Sequence, residues 1–252
     1  MTQKTALITG ATSGIGMETA HLLAARQYRL ILTGRRRERL EALQQKLGKE
    51  TAVMLLNFDI RSVTETEAAL NRLPEDWKKV DVLINNAGLA AGLDNVAEAD
   101  TNDWETMIDT NVKGLLYITQ QVSRWMITRK QGHIVNISSI AGKEAYPMGS
   151  VYCATKHAVN AISKAMRIEL LPHNIKVSTI SPGAVETEFS LVRFKGDQGK
   201  ADMVYEGFTP LYAKDVAESI YFVLSRPAHV NIDDLLIMPA AQASARDFHR
   251  KQ

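Results

Sequence analysis

The chain is nearly without cysteine. Cys153 stands alone among 252 residues, so no internal disulfide can form. It also lacks an excess of either charge: 30 Lys and Arg face 28 Asp and Glu, a net charge of +2. That balance gives no long-range pull toward nucleic acid or an anionic membrane. No apolar run approaches the ~18 residues of a bilayer-spanning helix, and the opening Met-Thr-Gln-Lys has no signal-peptide core. A cytoplasmic setting and a small-molecule ligand are therefore expected, with neither nucleic acid nor membrane as partner. The histidines show no metal-ligand spacing, so no metal is expected. Trp77, Trp104 and Trp125 are scattered and suit packing better than base stacking.

What is present is alternation. "TALIT" (5–9), "RLILT" (29–33), "TAVMLLNF" (51–58), "VDVLINN" (80–86), "HIVNIS" (133–138), "IKVSTIS" (175–181) and "DLLIM" (234–238) read as seven strands. Their Val, Ile and Leu content with little polar alternation fits strands covered on both faces. Segments of helical period lie between them, among them "METAHLLAARQ", "VTETEAALNRL" and "SVYCATKHAVNAISKAMRIELL". The pattern predicts an α/β fold: a Rossmann-type, doubly wound parallel sheet of about seven strands with helices on both faces. No linker, repeat or low-complexity stretch divides the chain, so one domain over 1–252 is expected. Residues 186–213 are charged and poorly periodic, and they predict an irregular lid.

"TGATSGIG" (9–16) follows the first strand and opens the first helix. Glycine costs conformational entropy, so three here need a reason. Gly10 allows a tight turn. Gly14 and Gly16, flanking Ile15, let a pyrophosphate and the sheet come close, with the helix N-terminus drawing the anion. The spacing is GxxxGxG and not the GxGxxG fingerprint, so an ordinary glycine-rich turn remains the competing reading at this point. About 20 residues further on, an acid would bind an adenosine ribose. Here the sequence reads "LTGRRRERL", with Thr33, Gly34 and Arg35 where the acid would stand. Guanidinium groups pair with a 2′-phosphate, so Arg35 and Arg36 favour NADP over NAD. Arg37 reads as a solvated helix residue.

"YCATK" places Tyr152 and Lys156 four apart on one helical face, roughly 5–6 Å apart at Cβ. A nearby ammonium favours the phenolate of a tyrosine that is otherwise a poor base. Ser139 lies thirteen residues upstream at a predicted strand carboxyl end, and Asn111 is predicted near the start of another long helix.

With these motifs the chain resembles the short-chain dehydrogenase/reductase family over nearly its whole length. The resemblance rests on "TGATSGIG", "NNAG" (85–88), Asn111, Ser138-Ser139 ahead of Tyr152 and Lys156, and "PGAVET" (182–187). It implies that Tyr152 exchanges the proton, Lys156 lowers its pKa and binds nicotinamide ribose, Ser139 orients the substrate oxygen, and Asn111 holds a relay water. It implies cofactor contacts at Gly10, Thr12, Ser13, Gly14, Ile15, Gly16, Asp59, Ile60, Asn86, Ala87 and Gly88. Pro182, Gly183, Val185 and Thr187 would meet the nicotinamide. Many NADP-preferring relatives carry a basic residue where this chain has Ser13, so the NADP reading rests on Arg35 and Arg36. A homo-oligomer, a tetramer by the same resemblance, is implied.

"TGRRRERL", "NNAGLA", "DWETMIDTN", "TEFSLVRFKGD" and "PAHVNID" are similar to the NADP-dependent 3-hydroxy acid dehydrogenases within the family. That similarity implies hydride transfer at the β-carbon of a small 3-hydroxy acid or β-hydroxy amino acid. Arg193 is the first candidate for the substrate carboxylate, because a guanidinium grips it with two bonds; a surface residue or an intersubunit ion pair is the competing reading. Lys143 is the reserve. Cys153 reads as a core residue, His157 as a helix-surface residue, and "ARDFHRKQ" as a loose tail or an assembly contact. The alternatives are a steroid, sugar or acyl-carrier ketone as substrate, or a non-catalytic NADP(H)-binding sensor.

Overall fold

The computed structural model describes residues 3–251, so the outer residues of the expected domain, 1, 2 and 252, lie outside it. Strands form where the aliphatic runs were read: β1 Thr5–Ile8, β2 Arg29–Gly34, β3 Val53–Asn57, β4 Val82–Asn85, β5 Gly132–Ile137 and β6 Ile175–Pro182. Two short strands follow, β7 Val185–Glu186 and β8 Leu211–Tyr212, and then β9 Asp234–Ile237. The main sheet has seven parallel strands in the order β3-β2-β1-β4-β5-β6-β9. The strand order reverses between β1 and β4, which opens a crevice at their carboxyl ends.

Period-two alternation divides the core between the faces. Ala6, Ile8, Leu30, Leu32, Val82 and Ile84 pack under α1 (Gly14–Ala25), α2 (Arg37–Leu47) and the last helix, α9 (Ala213–Leu224). Leu7, Ile31, Leu83 and Ile134 face the other way. They meet α3 (Val63–Asn71), α5 (Leu115–Arg129) and α6 (Ser150–Leu170). Each fully buried aliphatic side chain contributes roughly 1.5–3 kcal/mol. That double cover is why the strands read as continuous apolar runs.

Two expectations change. The helix before β5 does not start near Asn111. It begins as α4 (Thr101–Ile108), where Asp100 accepts a bond from the amide of Asn102 at 2.9 Å. It passes through a π-helical turn, Asp109–Gly114, and continues as α5. Asn111 therefore sits in a wide turn in mid-helix, a distortion that often marks a functional site. Residues 186–213 are also not irregular. They fold into α7 (Glu188–Arg193) and α8 (Gln198–Met203), framed by the β7–β8 pair. Thr187 and Asp197 cap the two helices by accepting from Phe189 N and Lys200 N, at 3.2 and 3.0 Å. Six-residue helices are too short to show a helical period, and the caps are the legible signal.

Candidate active site

The glycine-rich turn runs from β1 into α1. Gly10 has φ +65° and Gly14 has φ +52°, the left-handed region that favours glycine. At Gly16 conformation is not the issue. A Cβ there would come within 2.5 Å of both Gly10 O and the Asn86 Nδ2. Asn86 uses that amide to hold Thr9 O at 2.9 Å and Gly10 O at 3.2 Å, bracing the turn from the end of β4. No side chain caps α1, and its first turn carries no acid. Its leading amides are thus open to an anion, the donor set a pyrophosphate fits.

Arg36 stands beside this turn. Its Nε donates to the Thr12 Oγ1 at 3.1 Å, and its Nη2 donates to Thr12 Oγ1 and Ser13 Oγ at 2.9 and 2.7 Å. Its Nη1 meets Glu188 Oε2 at 2.7 Å, and Arg39 meets Glu188 Oε1 at 2.6 Å. Arg35 is more exposed, 3.9 Å from Asp59. Arg37 turns away to pair with Glu41 at 2.8 Å. The guanidinium and two hydroxyls around Thr12 fit a 2′-phosphate, and no carboxylate from the end of β2 stands there to oppose it.

A cleft of about 730 Å³ extends from this corner over the sheet. Its lining includes Gly10, Thr12, Ser13, Gly14 and Ile15; Arg35, Arg36, Asp59 and Ile60; and Asn86, Ala87 and Gly88. Thr187 stands beside the turn, Pro182, Gly183 and Val185 continue the lining, and Ser139, Tyr152, Lys156 and Arg193 lie at the far end. Gly16 lies beneath the turn. Among the described residues no group of three or more His, Cys, Asp or Glu is placed to hold a metal, and no helix is long and apolar enough to cross a membrane.

Ser139, Tyr152 and Lys156 are buried, as is Asn111, which does not itself line the cleft, while Arg193 is half-buried. Lys156 Nζ donates to Ile137 O at 3.0 Å and lies 5.9 Å from the Tyr152 ring centroid. Ser139 Oγ accepts from Ala141 N at 3.1 Å and approaches Pro182 O at 3.5 Å, whereas Ser138 Oγ turns to Lys156 O at 3.3 Å. Asn111 accepts from Leu89 N at 2.9 Å and donates to Leu89 O and Thr155 Oγ1 at 2.8 and 3.1 Å. Its side chain fixes the Leu89 segment to α6.

The model of the family described as short chain dehydrogenase matches residues 4–197. The chain belongs to this family. An NADP-dependent 3-hydroxy acid dehydrogenase of Escherichia coli strain K12 is 45% identical over 247 residues, covering 97% of this chain and 99% of that one. A sulfoacetaldehyde reductase of Chromohalobacter salexigens is 44% identical over 237 residues, 94% of each. A solved structure of a serine dehydrogenase in its closed form with NADP+ superposes with a TM-score of 0.92 at 43% identity, covering 98% of this chain and 100% of that one.

In this short-chain dehydrogenase the electrostatics depart from the expectation at Tyr152. Burial raises the phenol's pKa, and the neighbouring Tyr146 adds to the rise; Ser139 and Arg193 pull it back. Lys156 does not lead that lowering. Burial pushes Lys156 itself down to about 8.

Arg193 reaches the cleft. Its Nε donates to Gly92 O at 3.3 Å and its Nη2 to the Tyr146 hydroxyl at 3.2 Å, with no carboxylate partner among the described residues. Lys143 does not line the cleft; it is paired with Asp234. Lys195 is likewise engaged, 2.9 Å from Asp103.

Sequence reasoning missed the C-terminal segment. Gln242 accepts from Ala184 N at 2.8 Å, and Phe248 lies 5.0 Å from Phe208 between ring centroids. Ala245, Arg246, Phe248 and Arg250 line the cleft, so the segment is folded against it and is not a loose tail. It also missed Tyr146, Phe189, Arg39 and Glu188. The aromatic residues next to Arg193 and Tyr152 were the available signal.

Proposed function

We propose that this chain is an NADP-dependent oxidoreductase moving a hydride between the nicotinamide and the β-carbon of a small 3-hydroxy acid or β-hydroxy amino acid. The serine, L-allo-threonine and 3-hydroxypropionate types are the substrate class. One observation carries the reading: Arg193, a guanidinium without a carboxylate partner among the described residues, shares the far end of the cleft with Ser139 and Tyr152. The opposite end holds the glycine-rich turn and Arg36. The names of the 45% identical dehydrogenase and the serine dehydrogenase structure agree with it.

When bound, NADP supplies the hydride acceptor and NADPH the donor. The residues of this chain do the rest. The turn from Gly10 to Gly16 would hold the pyrophosphate, Arg36 with Arg35 would hold the 2′-phosphate, and Asp59 and Ile60 would meet the adenine. Asn86, Ala87 and Gly88 line the cleft, and Pro182 to Thr187 would meet the nicotinamide. Ser139 donates to the substrate oxygen. Tyr152 takes the hydroxyl proton as phenolate during oxidation and returns it as phenol during reduction. Lys156 holds the ribose and favours phenolate, and Asn111 fixes α4–α5 to α6.

A three-carbon substrate offers few atoms for orientation. Charge-assisted bonds of about 1.5–3 kcal/mol each to Arg193 supply much of it. Residues 186–213 form the lid that carries Arg193. The C. salexigens relative favours a second reading, in which the anionic group is a sulfonate, since a guanidinium pairs with either acid. Leu116 on α5, Ile168 on α6 and Leu171 just past it are exposed and apolar, which supports a homo-oligomer, a tetramer in this reading. The single free cysteine, Cys153, agrees with a reducing cytoplasm.

The test is a substrate panel with NADP and NAD, followed by the absorbance of reduced nicotinamide. The panel spans 3-hydroxy acids, short sulfonates, their neutral analogues, and steroid, sugar and acyl ketones. Activity confined to anionic short substrates with NADP is expected. Preference for a large neutral ketone, or NADPH binding without turnover of any member, would overturn the reading.

A further inference from the structure

The short helix α7 connects the two ends of the cleft. At its start Thr187 leans on the glycine-rich turn, where a Cβ on Gly14 would meet Thr187 Cγ2 at 3.2 Å. The next residue, Glu188, bridges Arg36 and Arg39 at 2.7 and 2.6 Å. Phe189 packs on Tyr152 with ring centroids 5.6 Å apart. At the end of the helix is Arg193, tied to Gly92 and Tyr146. Six residues of helix, fewer than two turns, span only about 9 Å, and so short a helix behaves as a strut.

The geometry points to Glu188 as a positioning residue that links the 2′-phosphate corner to the anionic-substrate reader. This rests on the function proposed above. Arg36 has its Nε and Nη2 on Thr12 and Ser13 and its Nη1 on Glu188. A partly exposed ion pair alone holds a helix weakly, because both side chains lose rotamer freedom to form it. A phosphate accepting from Arg36, and from the Thr12 and Ser13 hydroxyls that already orient it, would hold that guanidinium more firmly. Glu188 then meets an ordered partner, α7 is pinned, and Arg193 is held at the substrate end. Linkage of this kind is reciprocal: whatever factor the 2′-phosphate adds to anion binding, the anion adds to 2′-phosphate binding.

The test uses complexes that cannot turn over. 3-Hydroxypropionate binds the enzyme saturated with NADPH or NADH without reaction, because a reduced nicotinamide cannot accept hydride. Calorimetry gives its Kd in each. Wild type should bind it about fivefold more tightly with NADPH, the low end of measured site-to-site coupling. Methyl 3-hydroxypropionate should show no cofactor dependence. Glu188→Gln should remove the NADPH advantage while still binding NADPH at least as tightly, since a carboxylate near the phosphate is lost. Arg39→Ala should shrink the advantage in the same direction. An advantage that survives in Glu188→Gln overturns the inference, as does tighter binding with NADH, which would mean that phosphate and Glu188 compete for Arg36. If Arg193→Ala leaves the 3-hydroxypropionate Kd unchanged, the substrate reading itself fails and the link falls with it. If Arg193→Ala abolishes binding but Glu188→Gln changes nothing, only the link fails.

Discussion

The guanidinium carbon of Arg193 lies 5.7 Å from the centroid of the Tyr152 ring. The two residues come from different elements, the end of α7 and the first turn of α6. Their meeting puts a fixed positive charge next to the group proposed to move the proton. In the proposed function it selects substrates whose anionic end reaches Arg193 while the β-carbon faces Tyr152.

Arg193→Ala should therefore lower kcat/KM for a 3-hydroxy acid by about one to two decades, the worth of charge-assisted bonds. The uncharged ester should lose little. Steady-state kinetics on both substrates checks this. Equal losses would assign Arg193 to the shape of the lid.

Arg36 is the better-placed of the two phosphate candidates, because Thr12 and Ser13 orient it while Arg35 is more than half exposed. Arg36→Ala should erase most of the preference for NADP, worth about 1.5–3 kcal/mol. Arg35→Ala should cost less, since solvent screens an exposed charge. Titrating NADP and NAD into each variant measures both.

The seven main strands, the glycine-rich turn and the Tyr152–Lys156 pair were legible because each is a local pattern. Period, spacing and turn chemistry act over a few residues. The pairs that decide the site's geometry are not local. Lys143 meets Asp234, and Arg36 meets Glu188, across 91 and 152 residues of chain. Nothing in the spacing of those residues announces a pairing, so Lys143 looked free and Glu188 unremarkable. Asn111 was misplaced for a different reason. A π-helical turn keeps the polar and apolar pattern of a helix while shifting its register, so the start of α4 merged with the preceding loop. The segment after β9 has no period at all and takes its fold from the cleft it lines.

Lys156 is a charge held in the core at a cost to stability. With burial lowering its pKa from 10.5 to about 8, the ammonium form destabilises the fold by about 3 kcal/mol at pH 7. Between about pH 8 and the unfolded value the native state releases the proton first, so the wild type gains stability as pH rises through that window. Lys156→Met loses the bond to Ile137 O, worth about 1 kcal/mol. It should still be about 2 kcal/mol more stable than wild type at neutral pH, with the difference gone near pH 10. Urea unfolding at the two pH values reads it. The same variant should lose activity and bind cofactor more weakly.

Burial raises the phenol of Tyr152, and oxidation needs its phenolate. The oxidation rate should thus climb with pH above neutrality, approaching tenfold per pH unit while the phenol is mostly protonated. Reduction uses the phenol and should be flat at neutral pH, falling at alkaline pH. A flat oxidation profile would place the base elsewhere.

The central claim is that Tyr152 moves the proton in an NADP-dependent oxidation of a small 3-hydroxy acid. Tyr152→Phe removes one oxygen from a buried ring and leaves its packing on Phe189 in place. The most direct measurement is the rate of NADPH formation from a 3-hydroxy acid by wild type and Tyr152→Phe, with NADPH affinity measured on the same samples. Wild type should turn over robustly, and the variant should keep its cofactor affinity with turnover lower by about 10²–10⁴-fold. Near-normal turnover by Tyr152→Phe would contradict it.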